Sequence, residues 1–178
     1  LKAVVGLFSY SFFHDPGGFL HLFFNGWVFA FFAPEVERLY PGRKFLQFLL
    51  LAFLLGALAR LLATSFAPGL GYPTWGGSGL AMAALAAFAA HYPHAKLNLF
   101  LLEVRVLVVF GVVLALDLLF LGASLAGKAD VVSSDVHLMG AIFGWLWAKA
   151  SLGGLKIPGQ QAFVSWRLKQ TKRQKKAH

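Results

Sequence analysis

The sequence predicts an all-α membrane protein, a polytopic helical bundle with five visible spans. Three observations predict it. Hydrophobic residues make up 58% of the 178-residue chain against 13% charged, and mean hydropathy is +0.69. That is more apolar matter than a soluble domain of this length needs to fill a core, so several stretches are expected to face lipid. The apolar residues gather in five segments, about 19–37, 45–66, 77–92, 104–121 and 136–151, each bounded by charge, proline or glycine. Finally, positive residues collect in alternate connections.

The first segment closes on Glu35, Glu37 and Arg38, which are expected to fix the following turn, and the connection to the second carries Arg43 and Lys44. The connection at 67–76 has no basic residue, the next has Lys96 and Arg105, and the one at 122–135 has only Lys128. Eight basic residues follow from Lys149 to the end. Basic loops stay on the cytoplasmic side, so the C-terminus is expected there. The third and fifth segments are short against the roughly 20 residues of a full span. A short span entered from a loop implies irregular backbone at membrane depth, tolerated beside protein or a water-filled cavity.

The chain enters an apolar stretch at Leu1 without a charged n-region or cleavage site. With five spans and a cytoplasmic C-terminus, residue 18 falls on the outer side, so a further span is expected upstream. Residues 1–152 are then a transmembrane domain and 153–178 a basic cytoplasmic tail. The formal charge of +9 sits largely in that tail and points to topology and anionic lipid rather than nucleic acid. Compact basic loops favour a bacterial cell membrane over an organellar one. There is no cysteine, which excludes disulfides and thiolate chemistry.

Within this apolar chain one run carries chemistry: Gly76-Gly77-Ser78-Gly79 at the outer start of the third segment. A serine hydroxyl becomes a nucleophile when a base removes its proton, and the oxyanion formed on a carbonyl needs donors already in place. Glycines around Ser78 permit the tight backbone that presents a side chain at a helix start, where free N–H groups favour negative charge. The alternative is a helix end capped by Ser and packed by Gly.

His137 starts the fifth segment, with Gly140 and Gly144 at i+3 and i+7 forming a face that lets another helix approach closely. The alanine-rich third segment is the natural neighbour, which would bring the imidazole towards Ser78. An interfacial histidine wetted by loop water is the other reading. Asp135 lies two residues before His137 and points to a different helix face, so a Ser–His dyad is expected. His21 and Asn25, four apart, share a face and suit either oxyanion donors or helix-to-helix hydrogen bonding. All four groups fall at one depth.

Arg60 and Asp117 also lie near the outer ends of their segments and are expected to form a structural ion pair, unless Arg60 snorkels outward. His91 and His94 have the spacing of a metal pair, but Pro93 separates them and no third ligand is near, so no metal or cofactor is expected. Neither His-Glu-x-x-His nor a Gly-x-Gly-Asp pattern occurs, which removes zinc and aspartyl chemistries.

His21-Leu22-Phe23-Phe24-Asn25, Gly76-Gly77-Ser78-Gly79 and His137-Leu138-Met139-Gly140 with Gly144, in this order, make the chain resemble the rhomboid intramembrane serine proteases. Phe12-Phe13-His14, Glu37 and Gly42 are similar to further features of that family. The resemblance covers the chain to about residue 152. It implies a rhomboid-like six-helix core whose first helix precedes Leu1, with Ser78 as nucleophile and His137 as general base and then acid. Asn25, His21 and the Ser78 amide would stabilise the oxyanion. Substrates would be transmembrane segments of membrane proteins, cleaved within the lipid bilayer without metal or cofactor. Many relatives carry an aromatic residue one turn after the serine, packed on the catalytic histidine. Met82 stands there, and a thioether positions an imidazole less rigidly.

Two rivals compete with a serine endopeptidase. One is a catalytically inactive rhomboid-like protein that binds transmembrane helices; such relatives typically lack the serine or the histidine, and both are present. The other is a small channel or transporter, which would spread ionisable groups through the bilayer thickness rather than gather them at one side.

Overall fold

Small residues decide which helix occupies the centre. The computed structural model describes residues 19–66, 76–99, 102–126 and 133–152. Among them are helices α1 (Phe19–Leu39), α2 (Arg43–Phe66), α3 (Ser78–His91), α4 (Val106–Leu125) and α5 (Ser134–Leu152). Nine of the fourteen residues of α3 are serine, glycine or alanine, and only Leu80, Met82, Leu85, Phe88 and His91 are larger. With so little side chain in the way, neighbours approach from every side, and each residue from Ala81 to Ala90 is buried. α5 packs along α3 more extensively than any other helix, α1 covers another flank, and α2 lies mainly against α5. α4 touches both α3 and α5 more sparingly.

The exterior is as apolar as the interior. α2 and α4 are long and apolar enough to cross a membrane by length and composition, and α3 is apolar but shorter, at 14 residues. Only 22% and 17% of the apolar windows of α2 and α4 are buried, whereas the core helix of a soluble protein is mostly covered. Leu46, Leu50, Leu118 and Leu119 are among the large side chains left exposed. Such a surface is costly in water and suited to lipid.

One connection is not the simple loop that an all-α chain implies. Strands β1 (Lys96–Leu99) and β2 (Leu102–Arg105) form an antiparallel pair in which Lys96 faces Arg105, Leu97 faces Val104, and Asn98 faces Glu103. Side chains alternate along a strand, so the leucines and Val104 share one face and the polar residues the other. Leu97 is buried, while Lys96 Nζ meets Glu103 Oε2 at 2.7 Å on the outside. This exposed hydrogen bond, with the charge behind it, holds the Glu103 carboxyl below its usual range.

At the end of the bundle away from Ser78, aromatic rings lock the helices together. Tyr40, just past α1, stacks near Phe48 of α2 at 6.3 Å and lies edge-on to Trp147 of α5 at 6.0 Å. Gly42, at φ 65°, makes the turn into α2 in a conformation that favours glycine. Arg38 pairs with Glu35 at 2.7 Å beside that turn. Residues 67–75 of the expected connection 67–76, the tail 153–178, Phe12-Phe13-His14 and the side chain of His21 lie outside the described residues.

Candidate active site

Gly76 adopts φ 102°, which an L side chain rarely tolerates, and turns the chain abruptly into α3. Gly77 is the cap residue before the first helical turn, so Ser78 is the first residue inside the helix rather than its cap. Ser78 opens the helix and is 3% exposed. The first amides of a helix have no intrahelical acceptor, which leaves N–H groups around Ser78 able to receive negative charge.

The opposite wall comes from the first turns of α5. A Cβ on Gly140 would overlap the carbonyl oxygen of Gly79 and come within 3.1 Å of its carbonyl carbon. One turn further, a Cβ on Gly144 would overlap the carbonyl oxygen of Ala83, with its carbonyl carbon 2.8 Å away. Gly79 in turn faces Val136, whose Cγ1 would lie 2.7 Å from an added Cβ. The two helices thus meet main chain to main chain, with Gly79, next to Ser78, against Val136 and Gly140. His137 belongs to this same turn of α5.

His137 Nδ1 lies 2.7 Å from Asp117 Oδ1 on α4. A carboxylate accepts, so Nδ1–H donates, and a neutral ring then carries its lone pair on Nε2. That Nε2 is buried with no hydrogen-bond partner, so the Ser78 hydroxyl is not hydrogen-bonded to it. Catalytic contacts are often longer in the absence of substrate. Asn25 is half-buried on α1, which packs along α3, and its Nδ2 donor is likewise without a partner. Met82 is buried in the core, 5% exposed.

The ion pair expected between Arg60 and Asp117 is replaced by two others. Asp117 holds His137, and Arg60 Nη2 of α2 meets Asp135 Oδ1 at 3.2 Å. Asp135 and His137, two apart on α5, face different neighbours, as helix geometry requires. The Asp117 contact escaped sequence reasoning, although a solitary carboxylate inside an apolar segment was its signal. Both ring nitrogens of His91 are engaged, Nδ1 with the Ala87 carbonyl at 2.9 Å and Nε2 with the Tyr40 hydroxyl at 3.1 Å. Among the described residues, no group of three or more His, Asp or Glu could hold a metal ion.

The model of the Rhomboid domain matches residues 2–153. The chain belongs to the rhomboid family. No curated protein and no solved structure matches it. Rhomboid proteins are integral membrane proteins, generally serine proteases acting on transmembrane substrates within the bilayer. The apolar exterior of α2 and α4 agrees with a rhomboid's place in lipid.

Proposed function

We propose that this rhomboid is an active intramembrane serine endopeptidase, with Ser78 as nucleophile and His137 as general base. The single observation that carries this is the buried, unpartnered Nε2 of His137 in the turn of α5 that abuts the start of α3. A base needs an available lone pair and a fixed ring, and both are supplied there.

In the proposed reaction Nε2 takes the Ser78 proton as Oγ bonds to the scissile carbonyl carbon, and the carbonyl electron pair moves onto oxygen. The Ser78 amide, Asn25 Nδ2 and His21 stabilise that oxyanion. His137 then gives its proton to the departing nitrogen, the C–N bond breaks, and an acyl-enzyme remains. Water, deprotonated by His137 Nε2, attacks the ester, and as the ester C–O bond breaks Nε2 returns the proton to Ser78 Oγ. Gly76, Gly79, Gly140 and Gly144 set the backbone around the pair, and Met82 supports the packing. The substrates are transmembrane segments of membrane proteins. The proposed topology has five spans in this chain and a cytoplasmic C-terminus in a bacterial cell membrane.

Labelling with a serine-directed fluorophosphonate in detergent tests this. The parent is expected to label, Ser78→Ala not at all, and His137→Ala weakly. Equal labelling of all three would remove the enzyme and favour an inactive helix-binding rhomboid.

A further inference from the structure

Helix α4 has one charged residue among twenty, and it is turned inward: Asp117 is 4% exposed while Leu116, Leu118 and Leu119 around it are exposed. Burying a carboxylate in an apolar bundle is expensive unless a partner offsets it. Its partner is the His137 ring, at the 2.7 Å expected of a charge-assisted hydrogen bond. The second oxygen, Oδ2, is buried with no hydrogen-bond partner. A carboxylate that only pinned two helices together would be better served by satisfying both oxygens.

The surrounding charges leave this contact to act on the ring. Arg60 from α2 engages Asp135 of α5, and α3 has no ionisable group between Ser78 and Ala90. Asp135 is thereby committed to a different helix from the one that reaches His137.

We infer that Asp117 is a positioning residue for His137, giving a serine, histidine and aspartate array in place of a dyad; the inference rests on the protease reading above. Asp117 keeps a proton on Nδ1, so the Nε2 lone pair stays available. When Nε2 takes the Ser78 proton, the imidazolium forms beside a carboxylate that stabilises it. The Nδ1 proton does not move, and Asp117 remains ionised throughout. The array also fixes the ring through a hydrogen bond from α4.

Asp117→Asn preserves size while replacing the carboxylate with an amide that favours the opposite tautomer. The second-order rate of fluorophosphonate labelling is expected to fall by at least about tenfold. An unchanged rate overturns the inference, and so does a reduced rate in a variant whose His137 keeps the Nδ1–H tautomer by 15N NMR, which is what a merely structural role gives. If the variant does not fold, 15N NMR of the unsubstituted protein decides, with the His137 signals assigned by their loss in His137→Gln. The Nδ1–H tautomer is expected at neutral pH, and the Nε2–H tautomer overturns the inference. Failure of the protease reading is seen separately, as a parent protein that does not label at Ser78.

Discussion

The Tyr40 hydroxyl donates to His91 Nε2 across 3.1 Å, joining the turn after α1 to the last residue of the serine-bearing helix. The direction is set by His91 Nδ1, which must donate to the Ala87 carbonyl and so leaves Nε2 as the acceptor. Burial pushes the Tyr40 pKa up to about 12, so the phenol keeps its proton. Tyr40→Phe is expected to cost about 1 kcal/mol from the lost hydrogen bond. Fluorophosphonate labelling should be unchanged, since the far end of a helix this long is about 20 Å from Ser78. Thermal unfolding and labelling in detergent check both halves, and a loss of labelling without unfolding would contradict the structural role.

Glycines on different helices should respond in opposite senses. Gly140→Val places side-chain atoms against the main chain of Gly79, which cannot rotate away. Overpacking of this kind costs about 1–3 kcal/mol or more, and labelling should be lost as the helices part. A Cβ on Gly111 of α4 meets nothing within 4 Å. Gly111→Ala is therefore expected to stabilise by about 0.5–1 kcal/mol through helix propensity. Paired thermal melts give the comparison.

Asn25 presents a buried Nδ2 donor with no partner. If it stabilises the oxyanion, Asn25→Ala should lower the rate of peptide-bond cleavage by about 10²–10³-fold while leaving the melting temperature nearly unchanged. A large drop in melting temperature with a normal rate would assign the residue to helix packing instead.

The hairpin pair Lys96 and Glu103 is expected to be silent at neutral pH. Both side chains are well exposed, and exposed ion pairs contribute little to stability. The Glu103 pKa is lowered in the folded state, so whatever stabilisation exists is present above its unfolded value and is lost as pH falls through the lowered one. Lys96→Gln should bring the Glu103 titration, followed by NMR, back towards its ordinary range without a measurable change in the melting temperature at pH 7.

Features that depend on local pattern were legible in the sequence. The five apolar segments locate the helices, and glycines three and seven residues after His137 mark the face that α3 meets, because i, i+3 and i+7 positions share a side of any helix. Pairing between distant helices was not legible. Whether Asp117 meets Arg60 or His137 depends on the rotation of α4 about its axis, which a nearly uniform run of Leu and Val does not encode. The hairpin was hidden for a related reason: its leucines extend the apolar run, although the alternation in Lys96-Leu97-Asn98-Leu99 has the two-residue period of a strand.

The absence of side chains between Gly79 and Gly140 closes one door as well as building a wall. Helices already in contact through their backbones leave no gap for a third to wedge between them without dismantling the site. If Ser78 is the nucleophile, a polypeptide that reaches it must be admitted from some other direction, and its route is constrained by two hydrogens where larger groups would otherwise stand.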